Sequence, residues 1–278
     1  MNLMNLQTFL AGAAVALVFS TSTFAQSLVH RWDMNSVNDS VGTSNGTLVN
    51  GASLSGGSLV LDPLVNTNSG INAPALSLPT TAVEGLSGSF SIETWFTFNE
   101  LGLVYTTLFS FSDGTTNSYI IGTPNRGDSG GIASIAFKNG GEPEARIDIP
   151  NLTGGLSYQF VATFDASANT CYAFLNGLLI GSVSLDSLNM LPYNLSTFNQ
   201  LGIGGLAPYG DRGLEGTVQD FRIYDGALSD SQVATLFSLG ANATNSEIIS
   251  AVPEPSSVGL AMAAGLGALA LYRRPRQS

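Results

Sequence analysis

Apolar and polar positions in the central part of the chain alternate with a period of two. From Phe90 to Phe98, residues Phe90, Ile92, Thr94, Phe96 and Phe98 fall on one face and Ser91, Glu93, Trp95 and Thr97 on the other. Tyr158 to Phe164 repeats the pattern, with Tyr158, Phe160, Ala162 and Phe164 on one side. Successive strand side chains point to opposite faces, so each run predicts a strand with one face in a core. Thr170 to Leu175 and Leu178 to Ser184 flank Asn176-Gly177 and predict a hairpin, because Asn-Gly accepts the positive φ angles of a tight turn. Asn50-Gly51 and Asn139-Gly140 carry the same signal. The one convincing helical period comes late. Ser229 and Gln232 are the two halves of a capping box, Val233, Leu236 and Phe237 form an apolar stripe, and Gly240 can end the helix. Many short strands with one late helix predict an all-β fold, an antiparallel two-sheet sandwich or jelly roll.

Both ends depart from this pattern. Phe9 to Phe19 is an uncharged apolar run, small residues follow, and Ala25 before Gln26 reads as the cleavage point of a signal peptide. Met1 to Gln7 holds no Lys or Arg, so only the amino terminus supplies positive charge there. At the other end, Val252, Pro253, Glu254 and Pro255 precede a nearly uninterrupted apolar run from Val258 to Tyr272, closed by Arg273, Arg274 and Arg276. The prolines set this tail apart from what precedes it. A helix started at Ser256 would be ~26 Å long, short for a permanent span and adequate for a transient one. The arginines should stay cytoplasmic and place the body on the far side of the membrane. The expected organisation is a signal peptide at 1–25, a domain at 26–245, a linker at 246–255 and an apolar helix with a basic tail at 256–278.

Composition narrows the function classes. The chain has 278 residues, 44% of them hydrophobic and 10% charged. Between the two ends, residues 26–251 hold 19 Asp or Glu against 6 Lys or Arg. A body of that size makes one large sandwich without needing disulfides. Cys171 is the single cysteine, so no intrachain bridge can form; it reads as a small buried hydrophobe. An acidic body with no basic stripe argues against nucleic acid, whose phosphates need cationic neutralisation. Divalent cations and neutral glycans remain compatible partners.

Four stretches, in order from about residue 28 to 240, carry a resemblance to a known family. They are Leu28 to Met34 with Asn38 to Gly42; Phe90 to Phe96; Tyr158 to Asp165 with Tyr172 to Gly177; and Leu201 to Gly204 with Gly216 to Tyr224 and Gly226 to Ser229. Together they resemble the LamG-like jelly-roll domain of the concanavalin A-like lectin and glucanase fold. The tail separately resembles the PEP-CTERM sorting signal, which implies processing by an exosortase-type enzyme in a bacterium that makes extracellular polysaccharide. The joint expectation is an exported protein of the cell surface or extracellular matrix, anchored to the membrane by its C-terminal helix either transiently, before processing, or permanently.

The LamG resemblance implies a calcium ion near the first and last strands. Asp33 and Asp39 are candidate ligands, but the position where the family carries an aspartate is Gln219 here, a weaker calcium ligand. Catalysis on this fold usually means glycoside hydrolysis by two facing carboxylates. The glucanase pattern Glu-x-Asp-x-x-Glu is absent, Glu142-Pro143-Glu144 reads as a loop, and Glu93 has no carboxylate two or four residues away. The single histidine, His30, excludes a His-rich zinc site. The expectation is therefore no catalytic residue and no certain cofactor, with calcium as the candidate. Glycan binding would draw on loops at the sandwich ends: Asp113, Asn117 and Tyr119; Arg126 and Asp128; Tyr209, Asp211 and Arg212. Carbohydrate or protein binding is the leading expectation; the alternatives are a divergent polysaccharide hydrolase and a ligand-free structural envelope protein.

Overall fold

The computed structural model describes residues 26–62, 69–86, 88–99, 104–127, 132–185 and 195–253. The expected signal peptide at 1–25, most of the expected sorting tail and Asp128 lie outside them. In chain order the strands are β1 (Ser27–Trp32), β2 (Thr47–Val49), β3 (Ser53–Ser55), β4 (Ser58–Leu61), β5 (Ala75–Leu78) and β6 (Phe90–Phe98). The middle of the chain adds β7 (Thr106–Thr107), β8 (Phe109–Ser112), β9 (Tyr119–Arg126), β10 (Ile132–Lys138) and β11 (Ala145–Ile149). There follow β12 (Ser157–Asp165), β13 (Thr170–Leu175), β14 (Leu178–Ser184), β15 (Gln200–Ile203), β16 (Arg212–Gly213) and β17 (Gly216–Asp225), then helices α1 (Asp230–Leu239) and α2 (Asn245–Ala251).

Among the described residues these strands make two sheets. The first runs β14-β13-β12-β6-β17-β4-β3, with β1 also paired to β17. The second runs β11-β10-β9-β8-β15-β5-β2, with the short parallel pair β7 and β16 at its margin. Both are otherwise antiparallel, and each predicted alternation faces as expected. Phe90, Ile92, Phe96 and Phe98 of β6, Phe160 and Phe164 of β12, and Phe221 and Ile223 of β17 turn inward to meet Phe109, Phe111, Ile120, Ile135 and Phe137 of the second sheet. Phe221 touches both Phe109 and Phe111 edge-on, which locks the two layers at their centre. Cys171 is buried in this core, and burial pushes its thiol up.

The outer face of the first sheet is covered rather than solvated. Leu28, Val161, Phe174 and Tyr224 from the sheet pack with Val233 and Leu236 of α1 and Ile248 of α2 in a second, smaller core. Phe237 of α1 stacks on Trp95, ring centroids 5.8 Å apart. Helix α1 starts at the predicted capping box of Ser229 and Gln232 and stops at Gly240, φ 82°. Beneath the helices sits a closed set of charges. Arg222 donates to both oxygens of Glu93 (3.0 and 3.1 Å) and to Asp220 (2.6 Å), and Arg31 donates to Asp220 (2.9 Å). Trp95, Gln159 and Tyr224 also donate to Glu93, so that buried carboxylate is fully engaged.

Two expectations need correction. Residues 246–252 are not linker: Thr244 and Glu247 form a second capping box, and α2 buries Ile248 and Val252 against the sheet. The folded body therefore extends past the expected boundary at 245. Asn50-Gly51 is a tight turn, with φ 55° and 88°, but it does not close a hairpin. Its flanking strands, β2 and β3, belong to different sheets, so the turn carries the chain from one layer to the other. Asn176-Gly177 does close the β13–β14 hairpin, and Asn139-Gly140 lies in the longer β10–β11 loop.

Candidate functional site

The outer face of the second sheet is largely buried and carries a cleft. On β9, Ile120 and Gly122 face the core while Tyr119, Ile121 and Thr123 face outward beside Ala136 of β10. The loop from β15 to β17 folds back over these positions and brings Tyr209 and Asp211 to the rim. Gly70 makes that return possible. Its φ is +59°, and a Cβ there would stand 2.5 Å from the Tyr209 carbonyl oxygen. Its N–H donates to the Asp211 carbonyl at 2.7 Å. Beside them Tyr105 holds φ 55°, and its carbonyl accepts from the Arg212 N–H at 3.0 Å. The cleft has a volume of about 240 Å³, and Tyr105, Tyr119, Tyr209, Arg126, Glu144 and Asp211 supply its functional groups.

These groups are wired together. Tyr119 donates its hydroxyl hydrogen to Glu144 Oε2 (2.5 Å), Tyr209 donates to the Tyr119 oxygen (3.0 Å), and the two rings meet edge-on with centroids 5.4 Å apart. Arg126 Nη1 lies 3.6 Å from Glu144 Oε1. Burial raises the Tyr119 phenol, and its bond to Glu144 raises it further, so Tyr119 is a neutral donor. Burial also raises the Asp211 carboxyl; the Arg126 charge opposes this and the Glu144 charge adds to it. The result is a half-apolar floor with fixed donors and acceptors and two partly exposed rings, Tyr105 at 38% and Tyr209 at 36%. Such a surface can stack on an apolar ring face and exchange hydrogen bonds with hydroxyls.

Of the expected loop residues, the structure brings together Tyr119, Arg126, Tyr209 and Asp211. Asp113 and Asn117 do not join them: Asp113 Oδ1 accepts from the Thr115 N–H and hydroxyl, and the Asn117 N–H donates to the Thr115 hydroxyl, all within the β8–β9 turn. Arg212 is exposed and contributes its backbone to the rim. Glu144 and Tyr105 were missed. Glu144 does lie in a loop, as expected, yet its side chain reaches back across the sheet to Tyr119; an acid directly before a strand was the only available signal.

Of the calcium candidates Asp39 is already committed to its own turn. Asp39 accepts the N–H groups of Arg31, Val41 and Gly42 on Oδ1 and that of Ser44 on Oδ2, with His30 Nδ1 also 2.6 Å from Oδ2. Five donors fill its acceptor positions. Gln219 donates its amide NH2 to Thr97 and Thr217 while its buried Oε1 has no hydrogen-bond partner, and Asp33 accepts from the Asn35 N–H. Among the described residues no group of three or more His, Cys, Asp or Glu is placed to hold a metal. No helix among them is long and apolar enough to cross a membrane.

Two stacked antiparallel sheets, one capped by helices and one carrying a cleft, define a lectin-like jelly roll. The chain belongs to the concanavalin A-like lectin/glucanases superfamily, whose laminin-G-type description matches residues 66–234. Domain 4 of AbnA, a GH43 extracellular arabinanase from Geobacillus stearothermophilus solved with arabinotriose, shares 20% identity at a TM-score of 0.55, covering 76% of this chain and 98% of that one. A protein designated HCR/D-Sa-GBL1/C shares 15% identity at a TM-score of 0.53, covering 77% of this chain and 52% of that one. The CBM40 domain of a Ruminococcus gnavus IT-sialidase is 17% identical with a TM-score of 0.46, covering 55% and 84%. No curated protein matches the chain.

Proposed function

We propose that this chain is an exported, non-enzymatic carbohydrate-binding protein whose cleft holds a short glycan. The observation that carries the reading is the convergence of Tyr105, Tyr119 and Tyr209 with Arg126, Glu144 and Asp211 in one cleft on the outer face of the second sheet. Tyrosine rings take the C–H face of a sugar, and the polar groups take its hydroxyls. The arabinotriose complex of the arabinanase domain supports a saccharide on this fold. Delivery to the cell surface or matrix, by way of an exosortase-type enzyme and transient membrane attachment, is supported by the sequence at 1–25 and 252–276. Calorimetric titration with neutral oligosaccharides and with the host's own exopolysaccharide tests the binding. Saturable heat is expected, weakened at least tenfold in Arg126→Ala and Tyr209→Ala with little change in melting temperature. Blank titrations throughout would discard the reading and leave a ligand-free structural role.

Hydrolysis is a second reading with one observation in its favour. Glu144 and Asp211 share the cleft, and the raised Asp211 carboxyl is the kind of group that serves as a general acid. Glu144 is committed to Tyr119 and Arg126, which favours binding. Release of reducing ends from polysaccharide, abolished in both Glu144→Gln and Asp211→Asn, would install the enzyme instead.

A further inference from the structure

The cleft on the second sheet is acidic. Of the described residues that line it, Glu144 and Asp211 are carboxylates and Arg126 is the one cation. The two carboxylates are not placed alike. Glu144 takes the Tyr119 hydroxyl on Oε2 at 2.5 Å and has Arg126 Nη1 3.6 Å from Oε1. Asp211 has no such company: among the described residues nothing hydrogen-bonds to its carboxylate, which feels Arg126 and Glu144 only through their charges.

The Asp211 backbone, by contrast, is pinned on both sides. Its carbonyl accepts from the Gly70 N–H at 2.7 Å, and the N–H of the next residue, Arg212, donates to the Tyr105 carbonyl at 3.0 Å. Arg212 also forms a bridge with Ser69. The carboxylate is thus held in place and left open. Burial raises it; the Arg126 charge opposes that without cancelling it, and the Glu144 charge adds to the rise. An anionic acceptor taken partly out of water without a donor is costly, and a bound donor returns that cost. A sugar hydroxyl would supply the hydrogen bond. A cationic donor supplies the hydrogen bond and balances the second carboxylate as well. The partly exposed rings of Tyr105 and Tyr209 suit the same ligand, since a tyrosine face attracts a cation.

We propose that the cleft selects saccharides bearing a protonated amino group, glucosamine-type units without an acetyl cap, with Asp211 pairing the ammonium and the tyrosine rings taking the sugar face. This rests on the carbohydrate-binding reading and names the class of sugar within it. The chain's formal net charge of −11 works in the same direction, drawing in a polycationic glycan and repelling a polyuronate.

Calorimetric titration of the full chain with equal-length oligomers of glucosamine, N-acetylglucosamine and galacturonic acid tests it. The glucosamine oligomer should bind about tenfold or more tighter than its acetylated counterpart, and the galacturonate should give no saturable heat. Asp211→Asn should abolish the preference, so that the two amino-sugar oligomers bind alike. Asp230→Asn on α1, an equal change of net charge on the opposite side of the sandwich, should keep it. If the acetylated oligomer binds at least as tightly as the glucosamine one, the proposal fails and the carbohydrate reading stands; if no saccharide binds, both fail. Oligolysine binding as tightly as the glucosamine oligomer, or loss of the preference in Asp230→Asn, also overturns it. The wild-type comparison decides by itself should Asp211→Asn fail to fold.

Discussion

At the scale of single residues, parity along a strand was legible and the cover above it was not. Alternation placed Glu93 opposite the phenylalanines of β6, and there it stands. That the face is dry, with Glu93 held by Arg222, Trp95, Gln159 and Tyr224, depends on helices more than a hundred residues away. Asp39 shows the same limit from the other side. As an acidic loop residue it resembled a metal ligand; in place it is the hub of its own turn. Burial alone would raise its carboxyl, but the N–H groups of Arg31, Gly42 and Ser44 and the His30 side chain outweigh that and hold it below the usual value. The unfolded chain then binds the proton more tightly than the folded one, so the stabilisation is complete above the ordinary aspartate range. It is lost as pH falls through the lowered folded value. Urea unfolding from pH 5 down to pH 2 should show this loss in the wild-type protein and a flatter dependence in Asp39→Asn, which should also be less stable at pH 7.

Elements were read well where two signals coincided and poorly where one stood alone. Helix α1 had a capping box, an apolar stripe and a glycine stop. Helix α2 has a capping box too, but among Asn245, Ser246, Glu247 and Ser250 only Ile248 and Val252 bury enough to dock it, too thin a stripe to stand out. Asn50-Gly51 specified a turn type without saying which strands it joins, because pairing is decided by partners distant in sequence. The cleft is also an element-scale construction: its rim exists only because the β15–β17 loop passes close over Gly70. Gly70→Ala combines a disfavoured φ with a clash against the Tyr209 carbonyl. It should lift that loop, destabilise the fold by about 1–3 kcal/mol and weaken oligosaccharide binding at least tenfold, read by the same calorimetric titration.

For the whole molecule, the ordered set of motifs from residue 28 to 240 pointed to the sandwich, and two facing sheets with phenylalanine-rich inner sides bear it out. The cleft was half legible: Tyr119, Arg126, Tyr209 and Asp211 were candidates by loop position and residue type. Glu144 and Tyr105 join them only through the closing of β9, β10 and the returning loop. Because α2 docks through Ile248 and Val252, a chain ending after Pro253 retains every described contact of the two cores. Its melting temperature should match that of the longer chain within a degree or two. A cut before Thr244 should lower it clearly, since Leu28 and Tyr224 would lose their cover.

The position of α2 also decides which way the molecule looks. It lies on the back of one sheet, and the tyrosine-lined cleft opens from the back of the other. The described chain ends at Pro253, beside the helices that cover the first sheet. The cleft of the second sheet lies on the far side of the sandwich from that exit, so the last described residues leave its mouth uncovered.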